Sequence, residues 1–195
     1  MARPKGSTAE VTGPRIRAAA LKLFAREGYA AVSMRQIAAE VGLQAGALYL
    51  YTPDKQALLF DLLEGHMRAL LAAYDALDPP PEPAARMAQF VRFHIRRNLD
   101  HPDAVFLSYM ELRNLTPENF ARIEVLRRAY EDRLAAILSD GMQQGRFAAA
   151  DLRLTTMAII ALLNGVNTWF RDAGRLTRAE VEDLHCAMVA RALSS

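Results

Sequence analysis

The segment from residue 33 to residue 51 carries the strongest chemical signal in the sequence, because its residue types follow the spacing that two short crossing helices require. The first helix needs a small residue where the second approaches, and Ala38 provides it. Gly42 then stands where the chain must turn sharply into the left-handed conformation that glycine adopts readily. The apolar residues that would lock the pair together are Ile37, Val41, Leu43, Leu48 and Tyr51. This spacing predicts a helix-turn-helix, for which the alternative is a plain helical hairpin inside a core.

The charge distribution indicates what this segment binds. The chain has 195 residues and a net charge of +2, but residues 1–55 alone hold eight Lys or Arg and four acids, which gives +4, whereas residues 56–195 give −2. A basic segment on a slightly acidic body favours a polyanion such as nucleic acid. Because the second helix of the motif is short and carries few acids, we expect it to bind DNA.

Residues from Ile16 to Leu59 resemble the DNA-binding domain of the TetR family of bacterial transcriptional repressors. The resemblance covers about a quarter of the chain and is carried by residues 28–29, 32–38, 41–43, 46–51 and Lys55. It implies a homodimer that binds a palindromic operator, with the helix at 45–51 in the major groove. The remainder of the chain agrees with the family in its length and helical character.

The resemblance also implies which side chains meet the DNA. A helix N-terminus, a phenol and an ammonium group suit phosphates, and the residues at these positions are Ser33, Tyr49 and Lys55. Arg pairs with guanine, Gln pairs with adenine, and small residues permit close approach. The residues expected to face base edges are Arg35, Gln44, Ala45 and Gly46. Arg3 and Lys5 would reach the minor groove or phosphates as a mobile arm, or else form a tail without DNA contacts.

Three positions depart from the pattern of the family. The family often has a basic residue where Ala45 stands, His, Tyr or Arg where Leu50 stands, and Phe where Thr52 stands. The loss of polar groups at positions 45 and 50 should remove one or two backbone or base contacts.

Helical periodicity continues along the chain and predicts an all-α fold of about nine helices. Residues 1–11 are polar and small, and we expect them to form a disordered arm. Thr12 is expected to cap the first helix, with Pro14 in its first turn, where the missing N–H costs nothing. Thr52 and Pro53 are expected to start the fourth helix in the same way.

Further signals divide the rest of the chain. Capping boxes at 33–36 and 177–180 each predict a helix start, and the prolines of 78–83 predict a stiff loop. The later helices are expected at about 84–100, 103–113, 117–144, 151–173 and 178–193. We place a DNA-binding domain at 1–55 and a helical effector-binding and dimerisation domain at 56–195.

Two interpretations compete for the second domain: a helical core that only dimerises, and a core that also holds an apolar effector pocket. The residues expected in such a pocket are Phe93, Tyr109, Met110, Arg113, Asn164, Asn167 and Phe170. The two asparagines lie inside the apolar stretch 157–170, where a buried amide needs a hydrogen-bond partner from the core, a ligand or a second chain.

Segments 109–115 and 163–171 resemble the branch of the TetR family that senses acyl-CoA thioesters, which implies an effector of that type. An acyl chain suits an aromatic interior. CoA phosphates would meet Arg113, Arg171 or Arg175, although each of these is also interpretable as a surface or intersubunit charge. The last two helices would form the dimer interface through Met157, Ile160, Ala161, Leu163, Val181, Leu184, Met188, Val189 and Leu193.

Other classes of protein are disfavoured. One cysteine, Cys186, allows neither an intrachain disulfide nor a four-cysteine zinc site, and we interpret it as a core or interface residue. Without a Gly-rich phosphate loop, a G-x-S-x-G or an H-E-x-x-H motif, we expect no enzyme, cofactor or metal. The lack of a long apolar run and of a signal core predicts a cytoplasmic protein. A helical adaptor, or a DNA-binding protein without an effector, stays open as an alternative.

Overall fold

The computed structural model describes residues 5–149 and 151–194, and this part of the chain forms ten α-helices and a short 3-10 turn. The helices are α1 Lys5–Glu27, α2 Met34–Glu40, α3 Ala45–Leu48, α4 Lys55–Asp75, α5 Pro83–Asp100, α6 Pro102–Met110, α7 Pro117–Gln143, α8 Leu152–Asn164, α9 Val166–Trp169 and α10 Arg178–Ala192. The 3-10 turn covers Leu112–Asn114. The predicted all-α class is therefore confirmed.

The first helix begins earlier than the sequence predicts. It starts at Lys5, so Thr12 is a buried residue inside the helix rather than its cap, and Pro14 lies in the helix interior. A proline disfavours the helical conformation of the preceding residue partly through that residue's Cβ. The preceding residue here is Gly13, which has no Cβ, and this weakens the proline as a barrier to the helix. The expected disordered arm is thus wrong for residues 5–11.

The start of α4 also differs from the prediction. Asp54 takes the capping role, because its Oδ1 accepts a hydrogen bond of 2.7 Å from the N–H of Ala57. Thr52 is buried and its hydroxyl donates to the carbonyl of Asp54. By contrast, the capping boxes that open α2 at Ser33 and α10 at Thr177 are both confirmed.

The helix expected over 151–173 is divided into two. The side chain of Asp151 caps α8 by accepting from the N–H of Leu154, and the helix runs to Asn164. Gly165 then separates it from the single turn of α9. Glycine is a poor helix former, because ordering its backbone costs more entropy than ordering any other residue. Because of this division, the described residues form ten α-helices where the sequence predicts about nine.

The chain folds as two compact units whose limits differ from the functional division at residue 55. The first unit contains the chain up to Met67 together with Asp103–Glu124, and the second contains Arg68–Pro102 together with the chain from Val125 onward. The division of functions between residues 1–55 and 56–195 stays a prediction.

The first unit has an apolar core to which a distant segment contributes. Phe24 of α1, Ile37 of α2 and Leu48 of α3 are fully buried there. Leu107 and Ile123, from α6 and α7, pack into the same cluster. Residues that are distant in sequence from the helix-turn-helix therefore help to stabilise it.

The second unit is held by aromatic rings and by ion pairs between α5 and α10. The rings of Tyr74, Phe90 and Tyr130 lie with centroids 5.4 to 6.1 Å apart, at which distance edge-on and tilted pairs are stabilising. The Arg96 guanidinium donates two bonds of 2.8 and 2.7 Å to the carboxylate of the buried Glu182. This bidentate pair fixes α5 against α10.

Candidate nucleic-acid interface

The helix-turn-helix has the geometry that its spacing predicts. Ala38 is buried, and its carbonyl accepts a bond of 2.8 Å from the N–H of Leu43 across the turn. Gly42 has a φ of 72°, the left-handed conformation that side chains with a Cβ disfavour. Helices α2 and α3 are thereby held in contact across a short turn. This arrangement agrees with a helix-turn-helix rather than with a plain helical hairpin inside a core.

Two cations brace this motif from the helices on either side. The guanidinium of Arg15 on α1 donates to the carbonyl of Val41 at the end of α2, at 3.2 Å. The ammonium of Lys55 donates to the carbonyls of Tyr29 and Val32, at 2.9 and 2.8 Å, and lies 4.3 Å from the centre of the Tyr29 ring. Both side chains satisfy carbonyls that precede or follow α2, and so fix its position.

The expected base-reading residues lie on the surface. Arg35 on α2 and Gln44 before α3 are exposed, Gly46 is exposed, and Ala45 is half-buried. Tyr49, expected at a phosphate, exposes 53% of its surface. This arrangement leaves the outer face of α2 and α3 open to a ligand as large as a DNA duplex, and the individual DNA contacts stay predictions.

Two of the expected phosphate contacts already have partners in the protein. The Ser33 hydroxyl donates to the side chain of Gln36 while it accepts from the backbone N–H of that residue. Lys55 uses two of its three ammonium hydrogens on carbonyls. A phosphate could still take the third hydrogen of Lys55, but the main role seen for this residue is structural. Arg3 and the side chain of Lys5 lie outside the described residues.

A buried carboxylate supports the turn between α1 and α2, and no signal in the sequence indicates it. Glu111, with 5% of its surface exposed, accepts a bond of 3.1 Å from the N–H of Tyr29 and another from the side-chain amide of Asn114. The amide of Gln56 on α4 donates to the carbonyl of Asn114. Glu111 and Tyr29 are 82 positions apart, so periodicity and spacing could not connect them.

The two asparagines of the expected effector pocket have different surroundings. Asn164 Oδ1 accepts bonds from His94 Nε2 at 2.9 Å and from Asn98 Nδ2 at 3.0 Å, so it belongs to a core network. Both amide atoms of Asn167 are buried without a hydrogen-bond partner among the described residues. The hydrogen-bonding groups of Asn164 are therefore satisfied within the core, whereas those of Asn167 are buried and unsatisfied.

The other expected pocket residues are divided between the units. Phe93 lies in the second unit with its ring 5.3 Å from that of Tyr74, and Phe170 is buried there. Tyr109, Met110 and Arg113 are exposed and belong to the first unit. The pocket as a whole stays a prediction.

A cavity within the second unit lies between α7 and the beginning of α8, with a volume of about 550 Å³. None of the expected pocket residues lines it. Its lining mixes charges of both signs from Arg128, Glu131, Asp132, Asp151 and Arg153 with the apolar Ala135, Leu152 and Met157 and with Thr156. Such a lining does not suit an acyl chain, which prefers continuous apolar surface.

The core network around His94 sets the ionisation of this residue. Because Asn164 Oδ1 can only accept, His94 Nε2 carries the hydrogen and Nδ1 accepts from the Tyr130 hydroxyl at 3.0 Å. Burial disfavours the charged imidazolium and lowers the pKa of His94 to about 4, against a partial opposing effect of Asn164. The ring is therefore neutral at physiological pH.

The expected dimer helices carry two classes of apolar residue. Leu163, Val181, Val189 and Leu193 are buried within the protomer, so their assignment to a dimer interface is wrong, because their side chains point into the protein's own core. Met157, Leu184 and Met188 are exposed, and Leu154 and Leu162 on α8 are exposed as well. Periodicity identifies an apolar helix face, but it does not indicate whether that face packs within the protomer or against a second chain.

In residues 5–149 and 151–194, no group of three His, Cys, Asp or Glu side chains is placed to hold a metal ion. Within those ranges no helix has the length and apolar character to cross a membrane. Cys186 is half-buried, and burial raises the pKa of its thiol, which favours the unreactive protonated form.

Two parts of this chain match known protein families. Residues 16–62 match the family described as bacterial regulatory proteins, tetR family, and residues 80–193 match the tetracyclin repressor-like C-terminal domain. The chain is 26% identical over 173 residues to the HTH-type transcriptional repressor KstR2 of Mycobacterium tuberculosis, which covers 87% of this chain and 86% of that protein.

Solved structures agree with this assignment. A bacterial regulatory protein of the tetR family from Rhodococcus RHA1 superposes with a TM-score of 0.88 at 29% identity, covering 93% of this chain and 96% of that one. AibR, solved in complex with isovaleryl coenzyme A and operator DNA, gives a TM-score of 0.79 at 25% identity, covering 90% and 97%. With its helix-turn-helix in place and both halves matched, this chain belongs to the TetR family and is a DNA-binding transcriptional regulator.

Proposed function

We propose that the protein is a homodimeric repressor that leaves a palindromic operator when a small apolar effector of the acyl-CoA type binds. The observation that carries the ligand-responsive part is Asn167, whose buried amide has no partner among the described residues. An unpaired buried amide is costly, so such a group is retained where a second arrangement of the protein or a ligand can satisfy it.

The effector class is supported by likeness and by the chemistry of the interior. AibR, whose structure matches 90% of the length of this chain, was solved with isovaleryl coenzyme A. The second unit offers aromatic side chains such as Phe93 and Phe170 for an acyl chain. An acyl-CoA carries amides and phosphates as well, which suit the Asn167 amide and a surface arginine such as Arg171.

The homodimer is supported by an exposed apolar stripe on α8. Leu154, Met157, Ala158, Ala161 and Leu162 are exposed at intervals that place them on one helix face. On α10 the exposed residues Leu184 and Met188 follow the same spacing. Contiguous apolar surface of this kind marks an interface, and a second copy of the chain related by a two-fold axis is the commonest partner.

Release from the operator follows from the geometry of a two-fold dimer. Two recognition helices read successive major grooves only when they lie about 34–36 Å apart. An effector that prefers another arrangement shifts the equilibrium in proportion to its difference in affinity for the two states. Glu111 connects residues 103–124 to the α1–α2 turn, so a shift of that segment would be felt by α2.

The proposal is tested with the full-length protein and a duplex that it selects from a random DNA pool. Fluorescence anisotropy should show that isovaleryl-CoA or a longer acyl-CoA weakens binding, whereas free CoA at the same concentration has little effect. Equal affinity with and without each acyl-CoA would remove the effector from the proposal and leave a DNA-binding protein without one.

The dimer is tested by sedimentation of the full-length chain. Met157→Glu places a charge on the exposed stripe of α8 and should convert the dimer to a monomer. Val125→Glu is the matched control, because Val125 is 67% exposed on α7, outside the stripe. A dimer that survives Met157→Glu, or a monomeric wild type, would contradict the proposed interface.

A further inference from the structure

The outer face of α3 is unusually apolar for a surface that meets DNA. The exposed residues at its end are Tyr49 and Leu50, and Leu50 exposes 84% of its surface, more than any other large apolar side chain described. The preceding turn offers only Ala45, Gly46 and Ala47. Apart from the Tyr49 hydroxyl, side chains with hydrogen-bonding groups are absent from residues 45–50.

Packing within the protomer does not require these residue types. A Cβ on Gly46 would meet nothing within 4 Å, and its φ is not in the left-handed region. Since glycine also weakens a helix, the fold gains nothing from it. Leu50 lies four residues after Gly46, in the turn that follows α3, where its N–H donates to the carbonyl of Ala47 at 3.3 Å.

The edges of the bases in the major groove determine what an exposed leucine can contact there. Guanine, adenine and cytosine present donors and acceptors, which would lose water without gaining a partner against Leu50. Thymine presents one apolar group, its 5-methyl. Burying a methyl group against an isobutyl side chain is favourable, and the bare Gly46 leaves room for this approach.

We propose that Leu50 is a specificity-determining residue that selects thymine in each operator half-site by contact with the 5-methyl group. The inference rests on the proposed function in one respect, since it needs α3 to lie in the major groove. It names the part of the operator that α3 reads by apolar contact, whereas Arg35 and Gln44 would read by hydrogen bonds.

The experiment replaces each thymine of the selected duplex by deoxyuridine, which removes the methyl group and keeps the base pairing. At one symmetry-related pair of positions, the affinity of the wild type should fall about four-fold for one half-site and about fifteen-fold for both, as expected for one buried methyl per site. Leu50→Ala should bind the thymine and uracil duplexes equally at that pair, and keep the wild-type response elsewhere. Leu50 is so exposed that this variant should fold normally.

A matched control separates this effect from a general loss of apolar surface. Val125→Ala shortens another exposed apolar side chain, on α7, and should keep the full uracil penalty. A wild type indifferent to uracil at every position, or a Leu50→Ala variant with the wild-type profile, would overturn the assignment to Leu50 while DNA binding stands. Failure to select any duplex would overturn the operator model and this inference together.

Discussion

The helix-turn-helix of the first unit and the core of the second unit are built from contacts of different range. In the first, the bonds that shape the helix-turn-helix join close neighbours, such as Leu43 to Ala38 and Gln36 to Ser33. In the second, the central network joins His94 to Tyr130 and to Asn164, which are 36 and 70 positions away. A motif of local contacts can be read from spacing, whereas a network of distant contacts becomes visible only in the folded chain.

The largest effect is expected in the second unit. Phe90→Ala removes a fully buried ring that contacts Tyr74, His94 and Tyr130, and it should lower the free energy of unfolding by about 3–5 kcal/mol. Urea denaturation followed by the fluorescence of Trp169, the single tryptophan, measures it in this unit. Phe120→Ala, at a 39% exposed ring, is the control and should cost far less. Similar losses for both variants would contradict the assignment of the core.

The buried histidine predicts a pH dependence of stability. The folded pKa of about 4 lies below the ordinary 6.5, so between these values the unfolded state binds a proton that the native state does not. Stability is then full above pH 6.5 and falls by about 3 kcal/mol toward pH 4. His94→Gln keeps a donor and an acceptor, and its unfolding free energy should have a shallower pH slope. Equal slopes in both proteins would contradict the buried neutral ring.

Lys55→Met tests whether the first unit depends on its internal bonds. The substitution leaves the carbonyls of Tyr29 and Val32 without a donor, which should cost about 1–3 kcal/mol in urea denaturation. DNA affinity should fall on every sequence because α2 loses its brace. If Lys55 acted only on a phosphate, stability would stay unchanged and the salt dependence of DNA binding would decrease by about one ion.

The smallest effect is expected at a surface ion pair of the second unit. Arg133 donates two bonds of 3.0 and 2.8 Å to the carboxylate of Asp75, and the pair lies at the surface, with 33% of the Arg133 side chain and 49% of the Asp75 side chain exposed. Solvent screening reduces such pairs to less than about 1 kcal/mol. Thermal unfolding of Arg133→Met should therefore remain close to that of wild type, and a loss as large as that of Phe90→Ala would show that this pair, rather than the interior rings, holds the unit.

How far the sequence predicted the structure depends on the same distinction of range. The helix-turn-helix, the capping boxes and most of the later helices were predictable, because each rests on residues within one or two helical turns, whereas the division of 151–173 at Gly165 was not predicted. The start of α1 was not, since Gly13 offsets the effect of Pro14, and neither was Asp54 as the cap of α4. At each of these helix starts the local sequence was compatible with more than one first residue or cap. The contacts of the folded chain determine which of them is used.

The candidate sites show the same limit. The exposure of Arg35, Gln44 and Tyr49 agrees with a motif that can be read locally. The partners of Asn164, the role of Glu111 and the buried faces of Leu163 and Val181 depend on distant residues, about which spacing carries no information. An amide in an apolar stretch signals an interaction without indicating its partner.

The central claim, that the outer face of α3 meets DNA, is tested most directly by filling the open space at Gly46. A Cβ there meets nothing within 4 Å, so Gly46→Trp should fold normally while its ring blocks entry into the major groove. The matched control is Gly65→Trp on α4, where a Cβ also meets nothing within that distance. With equal thermal stability in all three proteins, anisotropy should show a loss of operator affinity of more than about 100-fold for Gly46→Trp alone, which corresponds to about 3 kcal/mol. A Gly46→Trp variant that binds the operator as tightly as wild type would contradict the account.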